Sequence, residues 1–269
     1  MMYIDFHAHF NSTDSGEIAA FVKNCEKNQT RAVMTGGRMG DRQYATLEEI
    51  SKACREYSDW LLPGAKIDQW NTPPDVSQIR KIKDMGFVVA KFICPYYAYD
   101  HDLYMPIYEE CEKLDLPVLF HTGIHRPTED DRKYRIPSLL NMDPLRLDRI
   151  ARSFPDLRIV AAHLGTSFYR VQAAQLTKAF PNVYADLAGA GAWKGLTPAE
   201  VGMYMCNIME RNSKVHFQKL VFGSDCYVKY PEIQTEAIKH YLNICAENDL
   251  DQETIDGIMG KTVAGWLNI

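Results

Sequence analysis

The sequence predicts an α/β protein, a (β/α)₈ barrel of the TIM type, with residues 1–269 forming one domain. Two observations carry this reading. Eight short apolar or β-branched runs recur, at 3–7, 31–35, 61–67, 87–93, 117–121, 158–163, 182–187 and 219–224, with helix-patterned segments between them. No G-x-G-x-x-G fingerprint is present, which disfavours an open doubly wound sheet.

The elements follow in chain order. Ile18, Phe21, Val22 and Cys25 recur at helix spacing after the first run. Leu103, Ile107, Cys111 and Leu114 do so after the fourth, and Leu147, Ile150, Ala151 and Phe154 after the fifth. Val201, Met205, Ile208 and Met209 follow the seventh, and Ile233, Ala237, Tyr241 and Ile244 the eighth. A last stripe of Ile255, Ile258, Met259, Val263 and Trp266 would close the barrel. Pro63, Pro117 and Pro155 stand at or before strand starts, and Gly36, Gly37, Gly123, Gly165 and Gly189 just after strand ends. The longest connection, 124–142, is polar and carries Arg126, Arg132, Lys133 and Arg135 on the face where barrel active sites are built.

Composition removes several functions. Hydrophobic content of 46% with 24% charged residues is that of a soluble globular chain. A formal net charge of −5, with no Lys/Arg cluster interleaved with aromatics, argues against a nucleic-acid partner. The polar Asp5 and His7 interrupt the N-terminus before a signal-peptide core can develop, and no run of about 18 apolar residues exists to span a membrane. The seven scattered cysteines include no C-x-x-C pair and read as apolar fillers in a reducing compartment, so the expected location is the cytoplasm. A small-molecule substrate is the expected partner, and homo-oligomerisation stays open.

Polar residues interrupt the pattern where runs end. In a strand, side chains at i and i+2 point the same way, so His7 and His9 share a face, and on the same parity Asp5 is expected inward behind them. His121 and His163 end the fifth and sixth runs, and Asp225 follows the eighth. In a closed barrel these ends converge on one mouth, where imidazoles and a carboxylate suit a divalent ion of the zinc, manganese or iron type. Lys91 shares parity with Val89 and is expected inward, since an outward lysine there would lie among helices without a partner. Arg126 could clamp a substrate carboxylate through a bidentate contact. Tyr96, Tyr97, Tyr99 and Trp193 could wall the pocket or pack on one another. Cys226 has no paired base and reads as filler.

The stretches Ile4-Asp5-Phe6-His7-Ala8-His9-Phe10, Phe120-His121-Thr122-Gly123, Phe154 to Gly165 and Val221-Phe222-Gly223-Ser224-Asp225 resemble the amidohydrolase superfamily, in its amidohydrolase-related branch of hydrolases and metal-dependent decarboxylases. The resemblance implies that His7, His9, His121 and Asp225 hold the metal, zinc first, with manganese and iron as alternatives. It implies that His163 is a further ligand or orients water or substrate. A bound divalent ion lowers the pKa of its water toward ~7, and Asp225 can take that proton and pass it to the leaving group. Asp225 and His163 are thus the catalytic candidates, and Lys91 and Arg126 the substrate-binding ones. Some superfamily members carry a carboxylated lysine bridging two metals at the strand-four position; the expectation for Lys91 is an unmodified side chain that binds a substrate carboxylate or pairs with a nearby acid, for which Asp5 is the inward candidate. Lys261 stands where the resemblance leads one to expect an asparagine.

The expected activity is metal-dependent hydrolysis of an amide, ester or lactone bond in a small carboxylated substrate. The chain is short for the decarboxylase members, which favours hydrolysis. The alternative is decarboxylation of an unsaturated carboxylic acid with His163 handling the proton. A third reading is a metal-binding barrel without catalysis, against which an intact Asp225 argues.

Overall fold

The computed structural model describes residues 2–39, 42–43, 45–70, 75–125, 133, 135, 138–189, 194–206 and 214–269. Its main sheet is built from β1 (Tyr3–His9), β2 (Thr30–Gly36), β3 (Leu61–Lys66), β4 (Val89–Phe92), β5 (Val118–His121), β6 (Ile159–Ala162), β7 (Val183–Asp186) and β8 (Leu220–Val221). Each pairs in parallel with the next in sequence. The strands are apolar on both faces because each is covered twice, by the barrel interior and by a helix.

Closure comes from the last stretch. β8 pairs with β7, while β9 (Cys226–Tyr227) pairs in parallel with β1. Both are pieces of one continuous segment, so the sheet meets itself. Between them the Phe6 N–H donates to the Phe222 carbonyl at 2.9 Å and the Asp225 N–H to the His7 carbonyl at 2.8 Å. The predicted (β/α)₈ barrel is what forms.

The helices follow the apolar stripes. α1 (Ser15–Asn28) buries the predicted Ile18, Phe21, Val22 and Cys25, and Asp14 caps its first turn by accepting from the Glu17 N–H. α2 (Leu47–Glu56), α3 (Ser77–Asp84), α4 (Met105–Lys113), α5 (Leu147–Ser153), α6 (Thr166–Ala179), α7 (Pro198–Met205) and α8 (Glu232–Glu247) complete the outer layer. Ile208 and Met209 of the predicted seventh stripe lie outside the described residues. The C-terminal pieces α9 (Gln252–Asp256) and α10 (Thr262–Leu267) fold beneath the barrel. There Val263 and Trp266 join Ile4, Phe6 and Val221 in the inner core, and Trp266 meets Phe6 edge-on at 5.9 Å. The N-terminal end is therefore plugged, and the C-terminal end remains as the mouth. No helix among the described residues is long and apolar enough to cross a membrane, and all seven cysteines are free thiols.

One strand departs from simple alternation, and this overturns the expectation for Asp5. Asp5 pairs with Ala32 and Ala8 with Met34, so β1 takes three steps where β2 takes two. The extra residue is a β-bulge, which changes the parity of everything beyond it. Ile4 and Phe6 face the barrel interior, Ala8 faces the helix layer, and His7 and His9 are free to face the mouth. Asp5 points outward. There it accepts from the Ser224 hydroxyl at 2.6 Å, the Ser224 N–H at 3.0 Å, the Gln234 amide of α8 at 3.0 Å and the His7 N–H at 3.2 Å. Burial raises its pKa to about 6 even against these donors. Asp5 ties β1 and the turn before Asp225 to α8, and cannot serve Lys91.

Candidate metal centre

The mouth gathers polar side chains from nearly every strand end. His7 and His9 come from β1, Thr35 from β2, Lys66 from β3, Lys91 from β4 and His121 from β5. His163 follows β6, Asp186 ends β7, and Asp225 stands between β8 and β9. Lys91 is fully buried and inward, as its parity predicts.

Hydrogen bonding on the far side of each ring assigns the tautomers. His7 Nδ1 donates to Asp186 Oδ2 at 2.8 Å, and His163 Nδ1 to the Ala188 carbonyl at 2.8 Å. The Thr35 hydroxyl donates to the Ala8 carbonyl at 2.8 Å, so His9 Nδ1, 3.3 Å from Thr35 Oγ1, is the donor in that pair. All three Nε2 atoms therefore present lone pairs to the mouth. Yet His9 Nε2 lies 2.8 Å and His7 Nε2 3.4 Å from Asp225 Oδ1, acceptor against acceptor. His163 Nε2 also sits 3.0 Å from His121 Nδ1, while His121 Nε2 lies 3.3 Å from the Ile124 carbonyl. Such contacts require a cation or a shared proton between them. Lys91 Nζ, in contact with His7 Nε2 and 3.3 Å from His9 Nε2, supplies one positive charge. The ligand atoms of His7, His163 and Asp225 all lie within 4.8 Å of one another. This donor set fits a divalent ion of the zinc or manganese class.

The electrostatics agree. Burial first, and then the charge of Lys91, pushes His7 down to about 4; the same two causes push His9 well below the ordinary histidine value. Burial and the neighbouring His163 do the same to His121. Neutral imidazoles are the form that ligates metal. Burial lowers Lys91 to about 8, against the pull of Asp225 and Asp186. Burial alone would raise Asp225, but the close approach of His9 and the neighbouring His7 and His163 hold it well below the usual carboxylate range.

Strain collects here too. His163 and Asp225 have φ of +64° and +60°, left-handed values uncommon outside glycine. Gly189, at φ +81°, lies so close that an added Cβ would stand 2.9 Å from Asp225 Oδ2 and 3.2 Å from His163 Nδ1. Gly189→Ala is expected to displace both groups and to cut turnover at least ~10-fold, while the far-UV circular dichroism stays that of the parent. Unchanged kcat in that variant would show that the contact is not needed.

Sequence reasoning missed four residues. Asp186 is fully buried; its Oδ1 accepts the His163 N–H at 2.7 Å and the Ala188 N–H at 3.0 Å, while Oδ2 holds His7. Its signal was a lone carboxylate within the apolar run 182–187. Thr35 fixes His9. Lys66, 6% exposed, pairs in register with Lys91, and its charge helps lower His9. Tyr227 stacks on the His9 ring at 4.9 Å.

Other candidates settle elsewhere. Arg126, Arg132 and Trp193 lie outside the described residues, and Arg135 is exposed. The tyrosines after β4 pack on their surroundings: Tyr99 is buried with its hydroxyl toward the Phe92 and His121 carbonyls, Tyr97 stacks on His101 at 4.3 Å, and Tyr96 meets Trp70 edge-on at 5.9 Å. Cys226 is buried against Asp5 with its pKa raised well above normal by burial, so it is no nucleophile.

The family model described as Amidohydrolase matches residues 4–264. The chain belongs to the amidohydrolase family, a family of enzymes. A search of curated proteins gives no match. Among solved structures, an uncharacterised TIM-barrel protein from Bordetella bronchiseptica superposes with a TM-score of 0.75 at 16% identity, over 100% of this chain and 99% of that one. A probable 2-pyrone-4,6-dicarboxylic acid hydrolase from Acinetobacter baumannii with citric acid bound gives 0.65 at 15% identity, over 100% of both chains. A dihydroxybenzoic acid decarboxylase from Polaromonas, with bound manganese and the inhibitor 2-nitroresorcinol, gives 0.64 at 14% identity, over 99% of this chain and 97% of that one.

Proposed function

We propose that this chain is a metal-dependent hydrolase that adds water to an amide, ester or lactone carbon of a small carboxylated substrate. The observation that carries the metal reading is the acceptor-against-acceptor contact of His9 Nε2 and His7 Nε2 with Asp225 Oδ1, at 2.8 and 3.4 Å. His7, His9 and Asp225, with the His121–His163 pair, would hold the ion. A divalent ion in such a site supplies Lewis acidity, polarising a carbonyl and lowering the pKa of water toward ~7.

The chain's own groups divide the remaining work. Asp186 is wholly buried and committed to three donors, whereas the Asp225 side chain is 23% exposed and ionised, so Asp225 is the carboxylate able to take a proton from water and return it to the leaving group. His163, fixed through Nδ1 and in contact with His121 through Nε2, is placed to orient water or substrate at the ion. Lys66 and Lys91, adjacent on β3 and β4, set a positive wall for a substrate carboxylate. Arg126, in the sequence that follows β5, is proposed as a second group to hold a substrate carboxylate.

The second reading is decarboxylation of an unsaturated acid, with His163 handling the proton. The superposition with the manganese-containing decarboxylase favours it, and the expectation from chain length no longer counts against it, because this chain spans 97% of that enzyme. The deciding experiment is metal analysis of protein purified without added metal, then a screen of carboxylated lactones, amides and unsaturated acids with carbon dioxide and acid release followed together. Acid release without carbon dioxide is the expected result. Carbon dioxide evolution moves the reading to the lyase, and full turnover by metal-free protein overturns the metal. One equivalent of metal is expected; two equivalents with a carboxylated Lys91 would replace the unmodified-lysine reading.

A further inference from the structure

The plugged end of the barrel, opposite the mouth, carries a cavity of about 740 Å³. It lies where the end of α6, the loop into β7, the Val215–Lys219 turn before β8, and α9 and α10 meet. A cavity of this size is in the range that holds small molecules. Lys178, Lys219 and Lys261 line it, with Glu253 as the one acid among its lining residues.

The lysines are not consumed by carboxylates. Lys178 Nζ donates to the Cys206 carbonyl at 2.9 Å. Lys219 Nζ donates to the Pro181 carbonyl and lies 4.5 Å over the Tyr184 ring. Among the described residues neither forms an ion pair. Each ammonium has three donors and spends one on a neutral carbonyl. Both are half-buried, and burial lowers the pKa of each. Three ammonium groups against one acid leave the lining with an excess of positive charge, which an entering anion would neutralise. Lys261, which no reading of the mouth explains, belongs to this lining.

We infer that this cavity is a binding site for a small polyanion, a phosphate ester or a polycarboxylate, separate from the mouth. Lysines suit such a ligand because each acts as a point charge that needs no fixed planar geometry.

The test is calorimetric titration of the metal-loaded protein at low salt with two probes, pyrophosphate and citrate. Saturable binding of either is expected, and the better probe identifies the ligand chemistry. Lys219→Met is expected to weaken it about tenfold or more, which is ~1.4 kcal/mol. Lys261→Glu, a change at an exposed position that does not threaten the fold, is expected to weaken it similarly. Both variants should keep parental kcat at the mouth, and added salt should weaken the parental binding. Absence of saturable binding overturns the site. Binding that survives both substitutions belongs to the mouth and overturns it equally.

Discussion

Asp225→Asn is expected to lower kcat by about 10²–10⁴-fold while most of the metal stays bound. Asparagine has the same shape, keeps an oxygen for the ion and tolerates the left-handed backbone that Asp225 adopts at φ +60°. It cannot accept and return a proton. The histidines keep their own supports, since Asp186, Thr35 and the Ala188 carbonyl are untouched. The measurement is kcat alongside metal content per chain. A variant that lost its metal entirely and regained full activity on reconstitution would show that Asp225 only holds the ion. Acid titration gives a second check. A carboxylate held below its unfolded value contributes stability above the unfolded pKa, and that contribution is lost as pH falls through the folded value. The parent should therefore lose more stability in acid than the Asn variant.

Replacing Asp186 should damage the site through a residue that never touches substrate. Asp186→Ala removes the acceptor of three buried donors: His7 Nδ1–H, the His163 N–H and the Ala188 N–H. An orphaned buried donor costs ~1–3 kcal/mol, so a loss of about 3 kcal/mol or more is expected. For a chain of this size that is a fall in Tm of roughly 6–12 °C. Asp186→Asn is the more informative change. Its carboxamide oxygen can still serve the two backbone donors, but its NH₂ then faces His7 Nδ1 and makes that nitrogen an acceptor. The His7 proton moves to Nε2, where a lone pair had faced the mouth. Metal affinity should drop ~10–100-fold with a smaller loss of stability. Burial would raise Asp186, but His7 and the backbone donors hold it below the ordinary carboxylate value, so its stabilisation too is present at neutral pH and lost in strong acid. Competition with a chelator measures the affinity; equal affinity in parent and Asn variant would rule out the orienting role.

What could be read in the chain, and what could not, follows from range. The strands and the stripes of α1 and α8 are local periodicities, and Ile18, Phe21, Val22 and Cys25 are buried as their spacing requires. His7, His9, Lys91, His121, His163 and Asp225 were visible because polar residues at the ends of apolar runs conflict with burial unless they act together. Asp5 was misread because strict alternation assumes an unbroken ladder. A bulge between Asp5 and Ala8 is set by pairing with β2, which no window on β1 alone reveals. Asp186 and Lys66 were visible as residues, but their roles were not: their partners are remote in sequence, and only the closed ring brings His7 179 residues back to Asp186.

The split in the last strand bears on how the molecule breathes. Four strand positions pair β5 with β6, but only two pair β9 with β1 and two pair β8 with β7. Across this seam the Phe6, Asp225 and Val228 amides close the ring. Those amides should exchange with deuterium sooner than the ones between β5 and β6, since sparsely bonded units open first. The metal candidates stand on both banks, His7 and His9 on one and Asp225 on the other. An ion held there acts as a clasp. Loading it should slow exchange along the seam far more than elsewhere, so that occupancy of the mouth and integrity of the ring rise together.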